Sequence, residues 1–100
     1  METMIKQLNK QTPEQFMEHL TKQSLEQSDK DVIKSFRNFR LSDEVVNVLL
    51  YYMFFMDHEA TWNKLSRIAQ FFSEHDIQTA AEAIDTVEKL KQYENQLDEQ

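Results

Sequence analysis

Not one glycine occurs in this 100-residue chain, and proline occurs once. β-Hairpins and sandwiches use glycine where a turn must take a positive φ. Helix interiors need none. The expected fold class is therefore all-α. The length suffices for one domain with a modest core. Cysteine is absent too, which excludes disulfide and thiolate chemistry and the small stapled secreted domains.

Hydrophobic periodicity and capping residues divide the chain. Residues 1–11 read as a flexible lead-in, with Met1, Met4, Ile5 and Leu8 scattered among polar side chains. Thr12-Pro13-Glu14-Gln15 is a helix start: Thr12 caps, Pro13 suits the first position, and Gln15 completes a capping box. Phe16, Met17 and Leu20 give the inner face of a helix over about 13–22. Residues 24–27 read as a connection. Ser28, with Asp31 three residues on, is expected to cap a second helix with Val32, Ile33 and Phe36 inward. Ser42-Asp43-Glu44 starts a third, with acids where the helix dipole favours them. Residues 45–56 are apolar but for Asn47, so this helix, about 43–57, is expected to be buried on every side.

Asp57 to Thr61 reads as a loop. Thr61 or Trp62 begins a fourth helix ending near His75, with Leu65, Ile68, Ala69 and Phe72 inward. Ile77 is expected in the core as well. Phe71, adjacent to Phe72, must point elsewhere, toward the next helix or a partner. Thr79 and Glu82 form a capping box for a fifth helix lined by Ala83, Ile84, Val87 and Leu90. Beyond residue 92 the pattern decays into an acidic polar tail, 93–100. The expected architecture is a compact bundle of about five helices around a buried central one, forming a single domain over 12–92.

The apolar run is far shorter than the roughly 20 residues a membrane span needs. The amino terminus has no signal-peptide pattern, so a cytoplasmic protein is expected. The net charge is −7, which opposes non-specific phosphate binding. The charge is uneven, however. From Glu74 onward eight acids and two lysines give −6, while nine basic and ten acidic groups before it give −1. The main body can therefore still present a local basic face.

No catalytic constellation is visible. His19, His58 and His75 share no ligand spacing, and metal sites need several convergent ligands. A phosphate loop needs glycine. The reading is a non-enzymatic protein without cofactor, metal or small-molecule substrate. Lys30, Lys34 and Arg37 lie at i, i+4 and i+7 on one helix face, with Arg40 just past the helix end. They are candidates for nucleic-acid binding, and Lys64 and Arg67 extend the set if the helices adjoin. The alternative is an ordinary solvated face. Trp62 would either stack on a base, worth about 1–3 kcal/mol, or close over the end of the bundle.

Four segments in order carry a resemblance. They are "TPEQF" (12–16), "SDKDVIKSF" (28–36), "LSDEVVNVLLYYMFF" (41–55) and "RIAQFFSEHDIQTAAEAI" (67–84). Over about four-fifths of its length the chain resembles the carboxyl-terminal helical domain of the DnaD and DnaB primosomal proteins of Gram-positive bacteria and their phages. This DnaB is the replication initiation and membrane attachment protein, not the replicative helicase. The third segment resembles the family's "pxxVINVLxxYV" and the fourth its "KIAxxWxxxxIxTxxEAM".

The resemblance implies a module of replication initiation and restart that binds single-stranded DNA, self-associates, and helps recruit the helicase or helicase loader. It implies membrane association only through a larger parent protein. The family's DNA-binding segment has the form Tyr-x3-Ile-x3-Trp followed by basic residues. Its three positions fall on Lys64, Ile68 and Phe72, and the basic run falls on Ser73, Glu74, His75 and Asp76. The apolar scaffold of the motif is kept and its basic part is replaced. The expectation is therefore a primosomal module acting through protein contact and self-association, with weak single-stranded DNA binding. Two alternatives stand beside it: a DNA-binding domain using Lys30, Lys34, Arg37, Arg40 and Trp62, and a helical interaction protein unrelated to replication.

Overall fold

The computed structural model describes residues 10–56 and 61–98, and side chains as far as residue 90. The lead-in up to residue 9, the loop residues 57–60 with His58, and the last two residues of the tail lie outside the described residues. Five α-helices are described: α1 (Pro13–Thr21), α2 (Gln27–Arg37), α3 (Asp43–Tyr51), α4 (Trp62–Glu74) and α5 (Ala80–Asp98). α3 runs directly into a π-helical turn, Tyr52–Met56. α5 continues past residue 92, through most of the segment read as the acidic tail.

Side chains set most of the helix starts. Thr12 Oγ1 accepts from the Gln15 N–H and Gln15 Oε1 accepts from the Thr12 N–H, both at 3.2 Å. Ser42 accepts from Val45, Thr61 from Lys64 and Thr79 from Glu82. These bonds satisfy amide donors that the first helical turn leaves open. α2 differs from expectation. It begins two residues earlier than Ser28 implies, with Glu26 at the N-cap, and the Glu26 N–H donates to the Asp29 carboxylate at 3.1 Å. Ser28 therefore lies inside the first turn rather than capping it.

The missing glycine shows at the helix ends. Lys22, Arg40 and Asp76 take φ of 58°, 64° and 53°, the left-handed region that closes many helices and that glycine fills without Cβ strain. Asp76 belongs to a Schellman motif. The Ile77 N–H donates to the Phe72 carbonyl at 2.9 Å and the Asp76 N–H to that of Ser73 at 3.3 Å. Ile77 is half-buried there rather than fully in the core.

α3 is the axis of the bundle and contacts α1, α2, α4 and α5. Val45 to Leu50 are all buried, Asn47 included. Asn47 donates from Nδ2 to the Gln11 carbonyl at 2.8 Å, which joins the entry to α1 to the axis. Around this helix lie Phe16 and Met17 of α1, Ile33 and Phe36 of α2, Leu65, Ile68 and Phe72 of α4, and Ala83 and Val87 of α5. Ser42 Oγ also donates to the Gln78 carbonyl at 2.7 Å, tying the start of α3 to the turn between α4 and α5.

The expected burial of 45–56 on every side fails after Leu50. In the π turn only Tyr52 is buried, and Phe55 is 55% exposed. A π turn carries an extra residue relative to the α-helix and shifts the facing of the side chains beyond it. An apolar run has no marker for that change of phase.

Candidate functional site

Arg37 is the best-placed cation of the basic face, and it is already engaged. Its Nη1 and Nη2 donate to the two carboxylate oxygens of Glu14 on α1, at 2.5 and 3.0 Å, and Nη2 lies 3.5 Å from Asp43 on α3. A forked guanidinium–carboxylate pair is the strong form of this contact. The hydrogen bond from Arg37 holds the Glu14 carboxyl below its usual range, against a smaller opposing effect of burial. The same bond with Glu14 raises Arg37. Arg37 thus staples α1, α2 and the start of α3.

Lys30, Lys34 and Arg40 are exposed. Trp62 does not join them. It stacks on Phe36 with ring centroids 5.5 Å apart and planes 25° from parallel, leaving Trp62 46% exposed and Phe36 sealed. At about 100° per residue, Phe36 points roughly 100–160° away from Lys30, Lys34 and Arg37 around α2. Trp62 thus packs on the bundle through Phe36 and keeps an exposed face.

Lys64 is half-buried, its ammonium 5.8 Å from the Tyr52 ring centroid. Arg67, one turn on, is exposed. Ile68 and Phe72 are buried against α3. Of the three motif positions, two are therefore core and one is the edge of a depression. That depression, about 250 Å³, lies between α4 and α5. Tyr52, Ile68, Phe71, Val87 and Leu90 line it, with Lys64 and Arg67 at its side. A second hollow of about 300 Å³ shares Phe71 and Leu90 with it and adds His75, Ile77, Thr86 and Lys89. The Phe71 ring lies 4.1 Å from that of His75. Phe71 also lines both hollows together with Leu90 of α5.

Among the described residues, no group of three His, Asp or Glu side chains could hold a metal ion, and none of the helices is long and apolar enough to cross a membrane. Residue spacing singles out the cations, and of the seam between α4 and α5 it marks single residues without the hollow between them. Phe71 and Leu90 carry its signal, as apolar side chains at the borders of the inner stripes of α4 and α5.

Residues 14–94 match a family described as replication initiation and membrane attachment, of the DnaB type. The chain belongs to this DnaB-type family. The match reaches into all five helices and removes the reading of a helical protein unrelated to replication. No curated protein and no solved structure matches the chain. In this DnaB-type domain the motif positions Ile68 and Phe72 hold α4 on the axis, and the positions after them, Ser73 to Asp76, close the helix.

Proposed function

We propose that this DnaB-type domain is a non-enzymatic, cytoplasmic replication-initiation module that works through protein contact and self-association, with primosomal proteins and a helicase or helicase loader as partners. Single-stranded DNA is a weak ligand in this reading. The observation that carries it is the engagement of Arg37 by Glu14 and Asp43. Two carboxylates already answer the central cation of the basic face. Lys64 leans over Tyr52, and the net charge is −7. Few cations are left to neutralise phosphates, so affinity should be low and fall steeply with salt. Phe55 is exposed beside Tyr51, with ring centroids 5.2 Å apart, an apolar surface suited to contact between copies.

Fluorescence anisotropy with a labelled oligothymidylate tests the DNA part. Binding weaker than micromolar at physiological salt is expected. Sub-micromolar binding would favour the DNA-binding alternative, supported by the exposure of Lys30, Lys34 and Arg40; Lys34→Glu should then abolish it and Glu74→Lys should strengthen it. Sedimentation tests self-association, and a monomer at every concentration counts against it. Capture of helicase or loader from a replicating extract by the full-length protein tests the partner assignment.

A further inference from the structure

We propose that self-association of this domain proceeds by exchange of α1 between two copies of the chain. This deepens the self-association reading and rests on it. A rigid interface of ordinary size buries about 800 Å² on each partner. Among the described residues, Phe55 and Trp62 are the only large apolar side chains left exposed. Trp62 already stacks on Phe36. The Tyr51–Phe55 pair adds to a contact between copies, but one ring pair does not supply that area. The net charge of −7 also sets rigid copies against each other. An exchanged helix re-forms contacts that the fold already contains and needs no new apolar face.

α1 meets the requirements of an exchanged element. It packs chiefly on α3 and α2. Its ties to them are Phe16 and Met17 in the core, Glu14 on Arg37 and, just ahead of the helix, the Gln11 carbonyl on Asn47. A second copy offers the same partners on its own α2 and α3. The connector to α2 is short, residues 22–26, and opens with Lys22 at φ 58° and ψ 29°. A residue with a Cβ is strained there, and straightening the connector releases the strain. Among the described residues, the connector's hydrogen bonds stay local. The Lys22 N–H donates to the Glu18 carbonyl at 2.8 Å, and Gln23 bonds through its backbone to the Thr21 hydroxyl at 3.3 Å. Leu25 alone of these residues is half-buried against the core. The turn before α5 is held differently, since Ser42 of the α3 start donates to the Gln78 carbonyl. A short, strained connector beside a helix whose contacts are all reproduced on a second copy is the arrangement that invites exchange.

The absence of cysteine allows a direct test on the full chain. One copy carries Glu14→Cys and another Arg37→Cys, both at partly exposed positions. The two are mixed in urea, refolded together at high concentration and treated with a short bismaleimide. Exchange sets position 14 of one copy against position 37 of the other. The mixture should therefore give a covalent dimer in proportion to the dimer fraction seen by sedimentation, and each variant treated alone sets the background. Lys22→Gly relieves the closed form at both connectors of the dimer, so it should weaken the dimer about tenfold. Deleting Gln23 and Ser24 leaves a connector too short to fold back, and should strengthen the dimer at least about tenfold while helicity is kept. A sedimenting dimer that links no more than the single variants would overturn the exchange and leave self-association standing. So would a dimer indifferent to both connector changes. A monomer at every concentration, with no link formed, would overturn both.

Discussion

Arg37 on α2 holds the Glu14 carboxylate of α1 in a two-pronged ion pair across 23 positions of sequence. Side-chain exposure of 39% and 40% leaves both partners in contact with water. Glu14→Gln should therefore destabilise the fold by less than about 1 kcal/mol, measured by urea denaturation at neutral pH. It should also release Arg37 for other anions and raise affinity for oligothymidylate by a few-fold at low salt. Unchanged DNA affinity would show that the basic face does not bind phosphate.

The pH dependence has a definite sign. Glu14 titrates below the ordinary glutamate value of 4.5 because Arg37 favours its ionised form. The pair's contribution is present above the unfolded-state pKa and is lost as pH falls through the folded-state pKa. The stability gap between wild type and Glu14→Gln should be full at pH 7 and close in the acid range below about 4. A gap that persists at pH 2–3 would assign the effect to packing instead.

Glycine should stabilise this glycine-free protein at particular sites. Lys22 and Arg40 hold positive φ with a Cβ present. Lys22→Gly and Arg40→Gly should each gain about 0.5–1 kcal/mol, since the strain removed exceeds the entropy added to the unfolded chain. Lys30→Gly, inside α2, should lose about 1 kcal/mol. Thermal denaturation of the three variants separates the cases.

Ser42 bonds in two directions, to the Val45 amide and to the Gln78 carbonyl. Ser42→Ala should destabilise by about 1–2 kcal/mol, combining a lost cap and a lost tertiary hydrogen bond. Ser42→Asp keeps a capping acceptor but cannot donate to Gln78, so it should recover only the cap's share. Chemical denaturation of both variants measures the split.

Much of the fold is legible from local pattern, because what builds it is local. Thr12, Ser42, Thr61 and Thr79 cap amides within three residues of themselves, and the stripes of α1, α2 and α4 keep the helical period. The start of α2 is ambiguous in sequence because Glu26–Asp29 and Ser28–Asp31 are overlapping pairs, and spacing alone does not choose between them. Phe55 looks like core because composition cannot register a π turn. The cations of α2 share a face as their spacing requires, yet the partner of Arg37 comes from another helix and leaves no trace at that spacing. The seam between α4 and α5 is a product of how far two helices diverge on a third, a quantity no single stripe encodes.

The stacking of Trp62 on Phe36 has a practical consequence. Trp62 is the sole tryptophan of the chain, and its ring rests on α2 while its backbone begins α4. Ultraviolet emission excited near 295 nm would thus report separation of two helices about 25 residues apart in sequence, with no dye attached. Trp62→Phe would darken the protein while keeping a stacked ring, and so serve as the blank. Any ligand that shifts this emission is acting on the α2–α4 junction, whereas one that binds the seam and leaves it unchanged has not pried the bundle apart.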